Sequence, residues 1–342
     1  MKEPWITDLA KYENQAITGF FAVVAKQVRS KKDGAPYFVL TLCDRTGQIE
    51  APMWETEGAG DFSSGDIVKL RGKVARYREK LQISVERIRK AEPGQFDLGD
   101  FVPKTERNID ELWAELNGCV ASFTDPHLKA LLRSFLDDAE IAIAFKEAPA
   151  AKSMHHAWIG GLLEHVVSLL GICELAAKHY QVNRDLLLTG AILHDIGKLH
   201  ELRWGTSFDY TIEGQLLGHI TIGLGMIERK IAALPDFPPA LRILVEHVVL
   251  SHHGRYEYGS PKLPMIPEAM LLHFLDDMDA KMQTMQNEFA RSVASGRGAG
   301  EVTEWIRSME RPLLNTAAYL EREKPDEAEV KETSNGLLFI ED

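Results

Sequence analysis

Two different hydrophobic periods divide the chain. Between Thr18 and Lys90 short apolar runs alternate with turn residues, and residues 19–24, 37–42, 49–54, 67–75 and 81–88 read as five strands. The separators are tight-turn sequences: Lys31-Lys32-Asp33-Gly34, whose Asp-Gly pair favours a hairpin, then Asp44-Arg45-Thr46-Gly47 and Ser64-Gly65-Asp66. Five strands at this spacing predict a small closed barrel. Pro93-Gly94 and Phe101-Val102-Pro103 then break the pattern, and the period becomes helical. Leu112, Leu116 and Val120 mark a helix over 109–122, and Leu128, Leu131, Leu132 and Phe135 mark another expected over 126–143. From Ser153 to about Leu314 the chain reads as helical almost throughout. The expected organisation is a multidomain β + α chain, with a barrel over 1–92, a linker and helical connector over 93–150, an all-α domain over 151–315 and an acidic tail over 316–342. Within that tail Leu337-Leu338-Phe339-Ile340 has the composition of a short docking strand.

Charge sharpens this division. The net charge is −12, yet residues 1–92 hold 16 Lys and Arg against 13 Asp and Glu, while the remainder holds 23 against 38. A mildly basic front therefore precedes a strongly acidic body, which argues against simple coating of nucleic acid by the whole chain. Cys43, Cys119 and Cys173 are widely spaced and form no Cys-x-x-Cys pair, so neither a disulfide framework nor a thiolate zinc site is expected. No apolar stretch approaches the roughly 18 residues of a membrane span, and a cytoplasmic protein with no membrane partner is the expectation.

The chemistry lies in the helical region, where eleven of the twelve histidines fall between 155 and 273. An apolar run, 186–193, ends at His194-Asp195-Ile196-Gly197-Lys198; a second, 241–250, leads to Ser251-His252-His253-Gly254. His165 lies among Leu162, Val166 and Leu169, His219 among Leu217 and Ile220, and Asp276 follows His273 on a further helix. Imidazoles and carboxylates delivered by apolar helices need a partner to offset their burial. A divalent metal is the simplest one, and metals that activate water lead to phosphoester hydrolysis. Lys198, three residues past Asp195, is placed either to meet a phosphate or to be an ordinary surface lysine. His155 and His156, beside Lys152, read either as substrate contacts or as a helix-start pair. His127 reads as structural, His247 as ambiguous, and His179, His200 and His273 as supporting or structural.

Family resemblance adds to this. Lys32-Asp33-Gly34-Ala35-Pro36-Tyr37, Leu42-Cys43-Asp44-Arg45-Thr46-Gly47 and Phe62-Ser63-Ser64-Gly65-Asp66 resemble the OB-fold nucleic-acid-binding domains over roughly residues 14–90. The resemblance implies a groove for a single strand lined by basic and aromatic side chains. The candidates are Lys26, Arg29, Lys31, Lys32, Arg71, Lys73, Arg76, Tyr77, Arg78 and Lys80. The opposing reading is that Phe38 and Trp54 only fill the barrel and that 76–80 is a solvated hairpin.

The order His, His-Asp, His, His-His, Asp resembles the HD-domain metal-dependent phosphohydrolases. Met154 to His165, Leu250 to Gly254, Glu257-Tyr258-Gly259-Ser260-Pro261 and Asp276-Asp277-Met278-Asp279-Ala280-Lys281, behind an OB domain, resemble the YhaM-type 3′–5′ exoribonucleases. The fold implied is a five-stranded OB-fold barrel followed by an all-α HD-superfamily domain. The ligand set implied is His165, His194 and Asp276 for one metal, His219, His252 and His253 for a second, and Asp195 bridging both. Asp195, Lys198, His155 and His156 are the catalytic candidates, with Asp277 and Asp279 orienting ligands. The cofactor expected is one or two divalent ions, manganese first, with iron, nickel and zinc also suited to these donors. Gly254-Arg255-Tyr256 stands where the cyclic-dinucleotide hydrolases of the superfamily carry Gly-Tyr-Pro, so that activity is disfavoured, and Arg255 and Tyr256 become candidates for the wall receiving a terminal nucleotide. The expected substrate is single-stranded RNA, with single-stranded DNA second. The alternatives are a small-nucleotide phosphohydrolase and a non-enzymatic nucleic-acid adaptor, and a homo-oligomer suits a protein that encloses a strand.

Overall fold

The computed structural model describes residues 3–31, 33–57, 60–78, 80–92, 94–102, 104–151, 158–205, 208–294 and 297–322. Two compact units divide the chain, 1–276 and 277–342. In the first, β1 (Ala16–Ser30), β2 (Pro36–Asp44), β3 (Gly47–Met53), β4 (Ile67–Tyr77) and β5 (Lys80–Lys90) close into a barrel in the order β1-β2-β3-β5-β4. Strand β1 serves two neighbours: its first half pairs with β4, its second with β2, and the register shifts between Val23 and Ala25 where it changes partner. A shift there bends the strand so that a single ribbon can take part in closure. Phe21, Leu40, Leu42, Met53, Leu70 and Ile83 fill the interior.

The helices that follow are α1 (Ile109–Ala121), α2 (Pro126–Leu136), α3 (Ala139–Glu147), α4 (Gly161–Tyr180), α5 (Arg184–Leu193), α6 (Lys198–Glu201), α7 (Ile212–Ala232), α8 (Pro239–Ser251) and α9 (Pro267–Ala294). Those of the connector and those of the histidine region share one apolar core, in which Leu116, Leu131 and Phe135 join Leu162, Leu187 and Val248. Buried Asp185 pins them together: its Oδ2 accepts from Thr124 N–H, the Thr124 hydroxyl and Asp125 N–H at 2.7, 2.9 and 2.8 Å.

The structure departs from the sequence pattern in two places. The single helix expected over 126–143 is two, because Asp138 caps a new start, its carboxylate accepting from the N–H groups of Glu140 and Ile141. The apolar spacing runs on across that break, so periodicity alone does not reveal it. The region read as helical almost throughout also holds a hairpin, β6 (Leu202–Arg203) with β7 (Asp209–Tyr210), between α6 and α7. Just before β7, Phe208 packs with Ile159 onto a cluster of Ala22, Cys43, Ile67, Ala91, Phe101 and Val102, tying the hairpin to the barrel wall.

The second unit contains the remainder of α9, a bridge between Ile306 and Arg311, and α10 (Thr316–Arg322). The stretch 337–340 lies outside the described residues. No described helix is long and apolar enough to cross a membrane.

Removing the Asp185 carboxylate leaves two backbone N–H groups and Arg184 without it. Asp185→Ala is expected to cost about 3 kcal/mol, against about 1 kcal/mol for the cap variant Asp138→Ala, read as shifts in urea midpoint at constant m.

Candidate metal centre and nucleic-acid face

The apolar faces of five helices converge where the chain delivers its polar residues. His165 projects from α4, His194 and Asp195 follow the end of α5, His219 lies in α7, His252 and His253 follow α8, and Asp276 comes from α9. At a helix end two adjacent residues can both turn inward, as His194 and Asp195 do, and both are buried.

Two groups form. His165 Nε2 lies 3.4 Å from His194 Nε2 and 3.1 Å from Asp276 Oδ1. His219, His252 and His253 gather beside them, with one donor atom from each lying within 4.8 Å of the others, the same spacing that joins His165, His194 and Asp195. Asp195 stands between, its Oδ2 3.3 Å from His194 Nε2 and its Oδ1 3.4 and 3.9 Å from the Nε2 atoms of His219 and His252. All seven residues proposed from the sequence as ligands are thus in one place.

Four of the five rings are held by their other nitrogen. His194 Nδ1 lies 3.0 Å from Ala191 O, His252 Nδ1 2.7 Å from Val249 O, and His253 Nδ1 2.8 Å from Tyr258 O. A carbonyl can only accept, so each Nδ1 carries the proton and each Nε2 keeps its lone pair. His219 is held by Glu201, whose Oε1 accepts from both the backbone N–H at 3.0 Å and Nδ1 at 3.1 Å. That arrangement needs Gly218, which interrupts α7 at φ 71°. Gly197 is required for a different reason than turning: it is helical in φ, but a Cβ there would lie 2.0 Å from the His219 carbonyl oxygen.

The Nε2 atoms of His219 and His252 are buried without a hydrogen-bond partner. Burial, reinforced by His194 and His253, pushes the His252 imidazole well below its ordinary pKa, and burial with His219 lowers His253. Burial also opposes ionisation of Asp195, but the Lys198 ammonium and His194 beside it hold the carboxyl well below the usual range. Asp276 is likewise kept ionised against burial by His194 and His165. Neutral imidazoles with free lone pairs beside ionised carboxylates are the donor state a divalent cation requires. The site is a divalent-metal site.

Lys198 Nζ sits 2.6 Å from Asp195 Oδ2, and its charge is stabilised there although burial works against it. Arg255 and Tyr256 are exposed on the turn after His253. His155 and His156 lie outside the described residues, as does Lys32. Glu201 escaped the sequence reading; its signal was a lone carboxylate on the segment joining Lys198 to the hairpin. His247 proves structural, its Nε2 accepting from Met265 N–H at 2.9 Å.

On the barrel, the basic candidates divide. Lys26 is turned against Phe38 and Phe62 and donates to Phe62 O at 3.0 Å, while Arg71 pairs with Glu86 and Arg76 with Glu13. Lys31 is half-buried, whereas Arg29, Lys73, Arg78 and Lys80 are exposed, and Arg78 lies over the exposed Tyr77 ring at 5.4 Å. Trp54 does not fill the barrel. It is 48% exposed and stacks on Tyr37 with centroids 4.6 Å apart, in the row that register places beside Arg29.

This fold and site define an HD-type metal-dependent phosphohydrolase joined to an OB-fold nucleic-acid-binding barrel. The family model described as HD domain matches residues 162–281, and that described as OB-fold nucleic acid binding domain matches residues 22–91. The 3′-5′ exoribonuclease YhaM of Geobacillus sp. (strain WCH70) is 36% identical over 299 residues, 85% of this chain and 90% of that protein. The chain belongs to the YhaM family. Among solved structures, the second OB-fold domain of replication protein A from Methanococcus maripaludis is 30% identical, covering 25% of this chain and 91% of that one at a TM-score of 0.20. A murine DNA-binding protein bound with double-stranded DNA is 20% identical, covering 28% and 50% at a TM-score of 0.21. Strand order, not these scores, identifies the barrel.

Two outcomes follow. Glu201→Ala frees the His219 ring and is expected to lower metal affinity about 10- to 100-fold, measured by competition with a chelator. In chelator-treated protein, the unfolded chain takes up protons at His252 and His253 as pH falls through about 6.5, while the folded chain resists. The stability these rings contribute is therefore present above that pH and lost below it, by up to about 1.4 kcal/mol per pH unit for each suppressed proton. Urea midpoints at pH 7.5 and 5.5 read this directly, and the fall is expected to be smaller in His252→Gln.

Proposed function

We propose that this protein is a 3′–5′ exoribonuclease that draws single-stranded RNA across the barrel and hydrolyses its terminal phosphodiester at the His and Asp centre. The observation that carries this reading is Asp195, buried with one carboxylate oxygen toward each histidine group, in a chain that matches a 3′-5′ exoribonuclease over 90% of that protein's length.

His165, His194 and Asp276 would hold one divalent ion, His219, His252 and His253 a second, and Asp195 would bridge them. Such ions, once bound, act as Lewis acids on the phosphoryl group and make water nucleophilic at neutral pH. Imidazole nitrogens and carboxylate oxygens without thiolate suit manganese, the ion we propose. The chain's own groups do the rest. Glu201 and the carbonyls of Ala191, Val249 and Tyr258 keep the ligand rings aimed. Lys198, whose Nζ lies 2.6 Å from Asp195 Oδ2, would supply a fixed positive charge beside the ligand set for the phosphate. Arg255 and Tyr256 would flank the terminal nucleotide.

Upstream nucleotides would follow the barrel. The Tyr37–Trp54 stack presents a flat ring face to unpaired bases, and Arg29, Lys73, Arg78 and Lys80 attract phosphates. Lys31, Lys32, Arg71, Arg76 and Tyr77 would extend this basic path. The barrel over 1–92 would thus act as the capture module, with the helices from the connector onward forming the catalytic body. RNA is the proposed strand, since the matched relative is named for it.

The test is a 5′-labelled RNA with a free 3′ end beside the same RNA with a blocked 3′ end, incubated with added manganese. Stepwise shortening of the free strand alone is expected. Equal cleavage of both would sink the exonuclease reading. Asp195→Ala is expected to abolish turnover, by about 10³-fold or more, while retaining most RNA binding in an anisotropy titration.

A further inference from the structure

One buried imidazole beside the centre has no part in the ligand set. His273 lies on α9 three residues before Asp276, a spacing that puts both on the same side of the helix. Its Nδ1 lies 3.0 Å from the backbone carbonyl oxygen of His252, so the ring donates to the chain at the double histidine. The ring also fills the space beneath Gly254. A Cβ at residue 254 would lie 2.3 Å from Cγ, Cδ2 and Cε1 of His273, and Gly254 itself stands at φ 71°. Three ring atoms at one distance mean that the glycine Cα faces the plane of the imidazole. The chain leaving His253 therefore crosses the ring face-on, while the ring's edge grips the carbonyl two residues earlier.

We propose that His273 is a positioning residue that clamps the 252–254 turn and so sets the geometry of the second histidine group. The ring of His252 is aimed by Val249 O and that of His253 by Tyr258 O, but both bonds fix rings relative to a backbone that must itself be fixed. His273 fixes it from α9. That same helix sends Asp276 to His165 at 3.1 Å, so one rigid element sets the spacing of both groups. The donor must sit at the Nδ1 position: asparagine reproduces it, glutamine carries the amide one bond too far, and leucine fills volume without a donor.

This inference rests on the two-metal reading and is tested without catalysis. Full-length protein stripped by a chelator is titrated with Mn2+, free ion being followed by electron paramagnetic resonance, and with Co2+, whose visible spectrum reports ligand geometry. Two classes of site are expected in the parent. His273→Leu and His273→Gln are expected to weaken one class by about tenfold or more and to alter its Co2+ spectrum, with the other class unchanged; His273→Asn is expected to stay within about threefold of the parent. Circular dichroism and urea midpoints verify folding, and the glutamine and asparagine pair carries the comparison should the leucine variant not fold. A parent with two classes whose glutamine and leucine variants match it overturns the positioning role alone. A parent with a single class overturns the two-metal reading, and the proposal with it.

Discussion

The site depends on one recurring hydrogen bond: a histidine Nδ1–H given to a fixed oxygen. An imidazole on an apolar helix has two accessible tautomers and a free torsion, and a site built from such rings would have no defined donor set. Here Ala191, Val249, Tyr258 and Glu201 each remove that freedom for one ring. Three of these acceptors are backbone carbonyls near a helix end, where the last turn has no partner of its own. The helix termini thus supply the orienting groups at no further cost in side chains. Burial then keeps at least His252 neutral, and the lone pairs are left pointing at one another across a space bridged by Asp195.

The elements bearing these rings are themselves brought close by residues chosen for absence of bulk. At Gly197 the segment after Asp195 touches α7 at the His219 carbonyl, an approach that any side chain would prevent. Between those two contacting segments lies the hairpin whose Phe208 joins the barrel-side cluster with Phe101 and Ile159. The hairpin that joins these two segments of the helical domain therefore also packs against the barrel. Spacer and support are a single piece of chain.

Much of this was legible in the sequence, and the exceptions have physical causes. Strands and their turns could be read because a small barrel enforces strict alternation and punctuates it with Asp-Gly and Ser-Gly pairs. Of the candidate ligands, His194, Asp195, His252 and His253 stood out because polar groups ending apolar helices demand an explanation, whereas His165, His219 and Asp276, which lie within helices, were legible only through the order of the whole set. The break at Asp138 was hidden because capping is a local competition that leaves hydrophobic spacing intact. Glu201 was hidden, and His273 was legible only as supporting or structural, because they act on other residues' backbone or second nitrogen, through contacts that span 18 and 21 positions. Trp54 stayed open between two readings because an aromatic at a strand end alternates correctly whether it turns into a barrel or out onto Tyr37.

The pairing of Lys198 with Asp195 carries a last consequence. In many small metalloproteins the cation is the keystone, and the chain without it is unfolded. Here the Lys198 ammonium neutralises Asp195, Asp276 and Glu201 face imidazoles, and a core of leucines and valines surrounds them. The donors are thus positioned by packing and internal charge balance. The rings and carboxylates of the site therefore need not also hold the fold together, and the same helices can keep their packing while the donor set serves chemistry.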